Sequence, residues 1–130
     1  MCPIPAEDQD NAKFPMVLAH NDCHEMNVLM STKDNQKLMV IDYEYSGWNP
    51  MAMDLGNYVN ETIMDNSYPF DLGITWYVDN MITDAEMREM STTYLKHYYA
   101  KYMTQTVKAK YASADDFVTK ELDELMKQIY

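Results

Sequence analysis

The sequence predicts an α+β fold in which a few short strands come first and helices follow. Three observations carry this. Short apolar runs separated by polar turns are confined to the first fifty residues. From Asp54 onward, apolar residues recur at helical intervals. Two helix-start signals, Thr83-x-x-Glu86 and Ser113-x-x-Asp116, punctuate the second half.

Residues 1–15 hold Pro3, Pro5 and Pro15 and the polar run Glu7–Asn11, and read as a flexible lead-in. Met16–Ala19 is a short apolar strand that delivers His20. Val28–Met30 and Leu38–Ile41 are two further strands, joined by the polar turn Lys33–Lys37 into a hairpin. Gly47, Asn49 and Pro50 are expected to break the chain. A helix is expected from Asp54 to about Met64, with Leu55, Tyr58, Val59, Thr62 and Ile63 on one face. Asn66–Pro69 reads as a turn. The capping box at Thr83 opens a long helix whose stripe is Met87, Met90, Tyr94, Tyr98 and Tyr102. Val118, Leu122, Leu125 and Ile129 mark the last helix, and no stop signal precedes Tyr130. With 13 Met and 11 Tyr, the chain is expected to use these residues where Leu and Phe would fill helix cores.

At 130 residues the chain is long enough for one core or one lobe of something larger. Its formal net charge of −11 disfavours a nucleic-acid partner, because a phosphate backbone is repelled by such a surface. The same charge suits a cationic small molecule. Two cysteines, Cys2 and Cys23, do not make a disulfide scaffold, and a reducing, cytoplasmic setting is expected. Apolar runs are only a few residues long, so no transmembrane segment is expected. Residues 1–19 show no basic stretch followed by an apolar one, so no secretory leader is expected either.

The chemistry concentrates in His20-Asn21-Asp22-Cys23-His24-Glu25-Met26-Asn27 and Ile41-Asp42-Tyr43-Glu44. An Asp, an Asn five residues on, and a second Asp after an apolar strand is a spacing that serves phosphoryl transfer. Such a transfer needs a carboxylate to orient the attacking hydroxyl and take its proton, and metal ions to neutralise the moving charge. Asp22 is the candidate catalytic base. Asn27 offers a neutral amide oxygen to Mg²⁺ and Asp42 a carboxylate. Both are hard donors, and ATP phosphates and water can complete the shell. Glu44 lies two residues past Asp42 and points to the same side if the strand continues, which makes it a candidate further metal ligand. His20 is placed to buttress the loop by hydrogen bonding. His20 and His24 are four apart, a zinc spacing on a helix, but this segment is a poor helix former and no Glu follows His20. Cys23 and His24 are adjacent in sequence, which seldom aligns a thiolate with its base.

The runs HNDCHEMNVLM (20–30) and LMVIDYEYSGWNPMAMDLGNYVNE (38–61) resemble the choline/ethanolamine kinase family, the choline kinase branch above all, within the protein-kinase-like fold. The resemblance continues more weakly through Tyr68-Pro69 and the helix after Thr83. It implies ATP-dependent transfer of phosphate to the hydroxyl of choline or ethanolamine, with Mg²⁺, giving phosphocholine for phospholipid synthesis. It implies that Asp22 orients the alcohol, that Asn27 and Asp42 hold Mg²⁺ with Glu44 beside them, and that Asp54 of Asp54-Leu55-Gly56-Asn57 supports the catalytic loop. Glu61 matches the carboxylate that faces the cationic head of the substrate. The family places a Tyr near position 66, where this chain has Asn66 with Tyr68 close by. It also has a late tryptophan-rich helix, whereas the tryptophans here are Trp48 and Trp76.

No phosphate-covering glycine-rich loop stands upstream of His20. Residues 1–130 are therefore expected to form a partial, C-terminal catalytic lobe, weakly active or inactive alone, with a homodimer mate or the lobe it lacks as partner. Two other readings stay open on the residues: a kinase for another small hydroxylated substrate, and a non-catalytic fragment serving as an interaction module.

Overall fold

A computed structural model describes residues 14, 16–34, 37–65 and 73–129. The lead-in 1–15, apart from Phe14, and the turn expected at Asn66–Pro69 lie outside the described residues.

Among the described residues, three antiparallel two-stranded ladders precede or interrupt the helices. Strand β1 (Met16–Ala19) pairs with β4 (Gly47–Pro50), in register from Met16 opposite Pro50 to Ala19 opposite Gly47. Strand β2 (Val28–Met30) pairs with β3 (Leu38–Val40), with Val28 opposite Val40 and Met30 opposite Leu38. The hairpin expected from the polar turn is thus formed. Its closing end is tied by Ser31 N–H to Lys37 O at 2.9 Å and Lys37 N–H to Asp34 O at 2.9 Å.

The β4 strand corrects the expectation that Gly47, Asn49 and Pro50 only break the chain. Alone these residues favour turns. Here the main chain of β1 needs partners, and the segment supplies them. Pro50 is tolerated because it ends its strand, in a ladder that has no further neighbour among the described residues.

Helix α1 spans Ala52–Glu61, shorter at its C-terminal end than expected. Ala52, Leu55 and Val59 form its buried face. Met64, the last residue of the expected helix, instead forms strand β5 with Asp65 and pairs with β6 (Thr75–Trp76), so strands do recur after the first helix. A capping box starts α2 (Asp84–Lys101): the Thr83 hydroxyl accepts from Glu86 N–H, and the Glu86 carboxylate accepts from Thr83 N–H at 2.8 Å. The buried line of α2 is Met87, Ser91 and Leu95, while Met90, Tyr94 and Tyr98 are partly buried. Tyr102, expected on that stripe, lies past the end of the helix and is 69 % exposed.

Thr104 caps the short α3 (Gln105–Lys108), and α4 runs from Ala114 to Ile129. At its start the Ser113 hydroxyl accepts from Asp116 N–H at 3.1 Å, and the Asp116 carboxylate accepts from Ala112 N–H at 2.9 Å. An Asp therefore serves in this box, reaching one residue further back than a Glu would.

The core lies where α4 packs along α2 and against α1. Phe117, Val118 and Leu125 of α4 meet Leu55 of α1, Leu95 of α2 and Met51 and Met103 from the connections. Val59, Met87 and Met126 extend it. Tyr111 meets the Phe117 ring edge-on, with centroids 4.9 Å apart. Gly56 permits the close approach of α4 to α1, since a Cβ there would sit 3.3 Å from the Ile129 carbonyl oxygen. Met51, Met87, Met103 and Met126 are buried as expected of gap fillers, whereas Met26, Met30 and Met39 are exposed on or beside the hairpin.

Candidate active site

The loop that carries Asp22 begins where β1 ends. Asn21 turns the chain with a left-handed φ of 67°, and Asp42, at the exit from β3, has a φ of 63°. Asn and Asp are the residue types beyond glycine that enter this region most readily. Backbone strain of this kind gathers at sites where the chain must aim a side chain.

The loop is held from below by α1. Asp54 stands in the first turn of α1, where a negative charge suits the helix dipole. Its two carboxylate oxygens accept from His20 N–H and Asn21 N–H, each at 2.8 Å. One turn later, Asn57 Nδ2 donates to the Cys23 carbonyl at 3.2 Å. The segment Asp54-Leu55-Gly56-Asn57 thus has a mechanical reading. Asp54 and Asn57 face the loop, Leu55 enters the core, and Gly56 admits α4.

From the side, buried His20 bonds through Nε2 to the Ile41 carbonyl at 2.8 Å, and its ring lies 5.1 Å from that of Tyr43. Asn21 Nδ2 donates to the Tyr45 carbonyl at 2.8 Å, and Asn21 Oδ1 accepts from Asn49 Nδ2 at 2.6 Å. Sequence reasoning passed over Asn21, Asn49 and Asn57 because side-chain amides signal turns until their partners are known.

Asp22 and Asn27 are brought together. Asn27 Nδ2 donates to the Asp22 carboxylate at 3.0 Å and to the Asp22 carbonyl at 2.9 Å. Asn27 is buried, and with its nitrogen engaged on Asp22 its Oδ1 is turned elsewhere. Ile41 N–H donates to Asn27 O at 2.9 Å, which extends the hairpin ladder by one bond. Asp42 therefore follows directly on the residue that faces Asn27.

The reason given for Glu44 does not hold. The strand ends at Val40, and Tyr43–Tyr45 is a single 3₁₀ turn, so Asp42 and Glu44 are not alternate residues of one strand. Among the described residues, no group of three His, Cys, Asp or Glu is clustered to hold a metal. The donor types of Asn27, an amide oxygen, and Asp42, a carboxylate, suit Mg²⁺, which takes one or two carboxylates and fills its shell from phosphates and water.

Asp22 opens onto a cleft of about 890 Å³ whose walls include His24, Glu25, Tyr58, Glu61, Asp65 and Tyr77. The cleft unites Asp22 with Glu61, the two residues assigned to the substrate, while Asn27, Asp42 and Glu44 are not on its walls. Four carboxylates and two phenol rings make it a cation-attracting space. Burial pushes the Glu61 carboxyl up from its ordinary value, His24 pulls it back, and Glu25 and Asp22 push it further up. Glu25, Tyr58, Asp65 and Tyr77 were not foreseen, since they come from four segments that only folding assembles. Asn66 and Tyr68 lie outside the described residues. The Cys23 thiol is pushed up by burial and then by the negative fields of Asp54 and Asp22, which disfavours a thiolate.

A second cavity, of about 620 Å³, separates β1 from α2 and is lined by Leu18, Trp48, Asp54, Tyr94 and Tyr98 among others. Burial, helped by the charge of Asp54, pushes the Tyr94 phenol up to about 12.

Known proteins carry the same pattern. The model of the choline/ethanolamine kinase family matches residues 6–130. A choline/ethanolamine kinase of Mus musculus is 32 % identical over 95 residues, which is 71 % of this chain and 23 % of that protein. Choline kinase alpha of Mus musculus is 40 % identical over 60 residues, 43 % of this chain and 13 % of that protein. The ethanolamine kinase of Saccharomyces cerevisiae (strain ATCC 204508 / S288c) is 28 % identical over 116 residues, 81 % of this chain and 21 % of that protein. The chain thus spans less than a quarter of the length of these relatives. With the family's pattern running through almost all of its residues, the chain belongs to the choline/ethanolamine kinase family and has the α+β architecture of the C-terminal, catalytic part of that protein-kinase-like fold.

Proposed function

We propose that this chain carries the alcohol-activating half of a kinase that transfers the γ-phosphate of ATP to the hydroxyl of choline or ethanolamine, giving phosphocholine or phosphoethanolamine. The observation that carries the reading is the cleft that places Asp22 and Glu61 on common walls. A quaternary ammonium cannot donate an N–H hydrogen bond, so charge and aromatic faces must hold it. Glu61, Tyr58 and Tyr77 offer both, and Asp22 stands in the same cleft to meet the hydroxyl at the other end of a small alcohol.

In this reading Asp22 orients the hydroxyl and accepts its proton as the phosphorus–oxygen bond forms. Asn27 fixes the carboxylate through Nδ2 and keeps Oδ1 for a metal. Asp42 is the second ligand, and Glu44 a further one. Mg²⁺, when bound with ATP, supplies neutralisation of charge on the transferring phosphoryl group. His20 and Asp54 keep the loop in shape through the Ile41 carbonyl and the His20 and Asn21 amides.

A cytoplasmic setting, and a homodimer mate or an ATP-gripping lobe over the hairpin, belong to the same proposal. In support, Leu29, Met30, Leu38 and Met39 are exposed on that hairpin. Among the described residues no helix is long and apolar enough to cross a membrane. The experiment is phosphoryl transfer from ATP to choline and to ethanolamine, followed by ³¹P NMR with Mg²⁺ present and absent. Mg²⁺-dependent product lost in Asp22→Asn supports the reading. Product that survives that change removes Asp22 from the reaction.

A further inference from the structure

His24 stands in the cleft wall beside Asp22 and has no part in the reaction as set out above. Its two ring nitrogens face different partners. Nδ1 accepts from Met26 N–H at 3.2 Å, which caps the 3₁₀ turn Glu25–Asn27. In a neutral imidazole one nitrogen accepts and the other carries the hydrogen. Nε2 is therefore the donor, and it lies 3.5 Å from Asp22 Oδ2. Asn27 Nδ2 is 3.0 Å from His24 Nε2 and 3.0 Å from Asp22 Oδ2. In this tautomer Nε2 does not accept from the Asn27 amide, and Asn27 Nδ2 and His24 Nε2 stand side by side, 3.0 Å and 3.5 Å from the same carboxylate oxygen.

We propose that His24 is a positioning residue for Asp22: with Nδ1 anchored on the Met26 amide, its Nε2–H and the Asn27 amide together hold Asp22 Oδ2, so that Oδ1 is the oxygen left for a substrate hydroxyl. This deepens the functional reading and rests on Asp22 being the base. The 3.5 Å separation is longer than a formed hydrogen bond. Such contacts at catalytic sites commonly tighten when substrate arrives. A carboxylate pinned at one oxygen loses rotational freedom about its Cβ–Cγ bond, and this orientation is what a general base needs. The same imidazole does both tasks only because the turn cap fixes its ring.

The two tasks separate by isosteric substitution in the 130-residue chain. The side-chain oxygen of Asn can stand in for Nδ1, and the side-chain amide of Gln for Nε2–H. The readouts are the Asp22 carboxylate ¹³C resonance, the Asn27 side-chain NH₂ resonances and exchange at the Met26 amide. His24→Asn is expected to keep Met26 protected while moving the Asp22 and Asn27 signals, and to move them further when choline is added. His24→Gln is expected to restore the Asp22 and Asn27 signals while Met26 exchanges faster. In turnover, kcat should fall about ten- to a hundredfold in His24→Asn and recover in His24→Gln, with KM for choline little changed. Asp22 and Asn27 signals that ignore both variants, or that respond alike to both, overturn the proposal and leave His24 as a turn cap. If choline does not bind the wild-type chain in the cleft of Asp22 and Glu61, the functional reading is what fails, and the Asp22 resonance still decides the role of His24.

Discussion

Asn27 reaches Asp22 twice, donating from one amide nitrogen to the Asp22 carboxylate at 3.0 Å and to its main-chain carbonyl at 2.9 Å. A side chain five residues away thereby fixes both the charge and the backbone of the proposed base. Asp22→Asn removes the base while keeping the shape. It is expected to lower kcat by about 10²–10⁴-fold with little effect on ATP binding. Steady-state kinetics with ATP and choline varied separately check this.

The support beneath the loop makes a different prediction. Asp54 presents two acceptors to two amides, at 2.8 Å each. Asp54→Asn keeps one acceptor and sets an NH₂ group against a backbone N–H. Amide hydrogen exchange at His20 or Asn21 should rise at least tenfold, while the amides of α4 stay protected. Unchanged exchange at both residues would mean that the loop holds itself.

The sequence made the β2–β3 hairpin readable because its strands are apolar, its turn is polar, and its ladder is local. The capping box at Thr83 was readable for the same reason, as all its partners lie within four residues. The β1–β4 ladder was not, because Gly47, Asn49 and Pro50 become a strand only against Met16–Ala19, some thirty residues away. Phe117 was missed because it stands beside Val118, outside the single stripe followed through Leu122, Leu125 and Ile129. Of the proposed site, Asp22, Asn27, Asp42 and Glu61 follow from spacing and resemblance. The Tyr58 and Tyr77 walls and the grip of Asn57 on Cys23 depend on how α1 is set against the loop, which no local pattern encodes.

Core energetics should centre on Phe117, which is fully buried between Tyr99 and Tyr111. Phe117→Ala is expected to cost about 3–5 kcal/mol from lost burial and the cavity left behind. Small domains have total stabilities of about 5–15 kcal/mol, so urea denaturation should show a large fall in midpoint. A change under 1 kcal/mol would mean that α4 does not carry the core.

Glu61 gives a pH prediction with a definite sign. Its carboxyl titrates above the ordinary glutamate value, chiefly through burial. Cation binding needs the charged form, so affinity for choline should be full above this raised value and fall as pH drops through it. The loss should thus begin at a higher pH than a free glutamate would give. Binding should also release protons there, because a bound cation favours the carboxylate. Calorimetry in two buffers of different ionisation enthalpy measures that release. In Glu61→Gln the Glu61-linked part of the release should vanish.

The most direct test of the central claim, that one cleft holds the cationic head at Glu61 and offers the hydroxyl to Asp22, is an NMR titration of the chain with choline. The account predicts that choline moves resonances of Asp22, Tyr58, Glu61 and Tyr77, that Glu61→Gln weakens binding several-fold, and that Asp22→Asn leaves the Tyr58 and Tyr77 shifts in place. Shifts confined to the cavity between β1 and α2, or choline binding indifferent to Glu61→Gln, would contradict it.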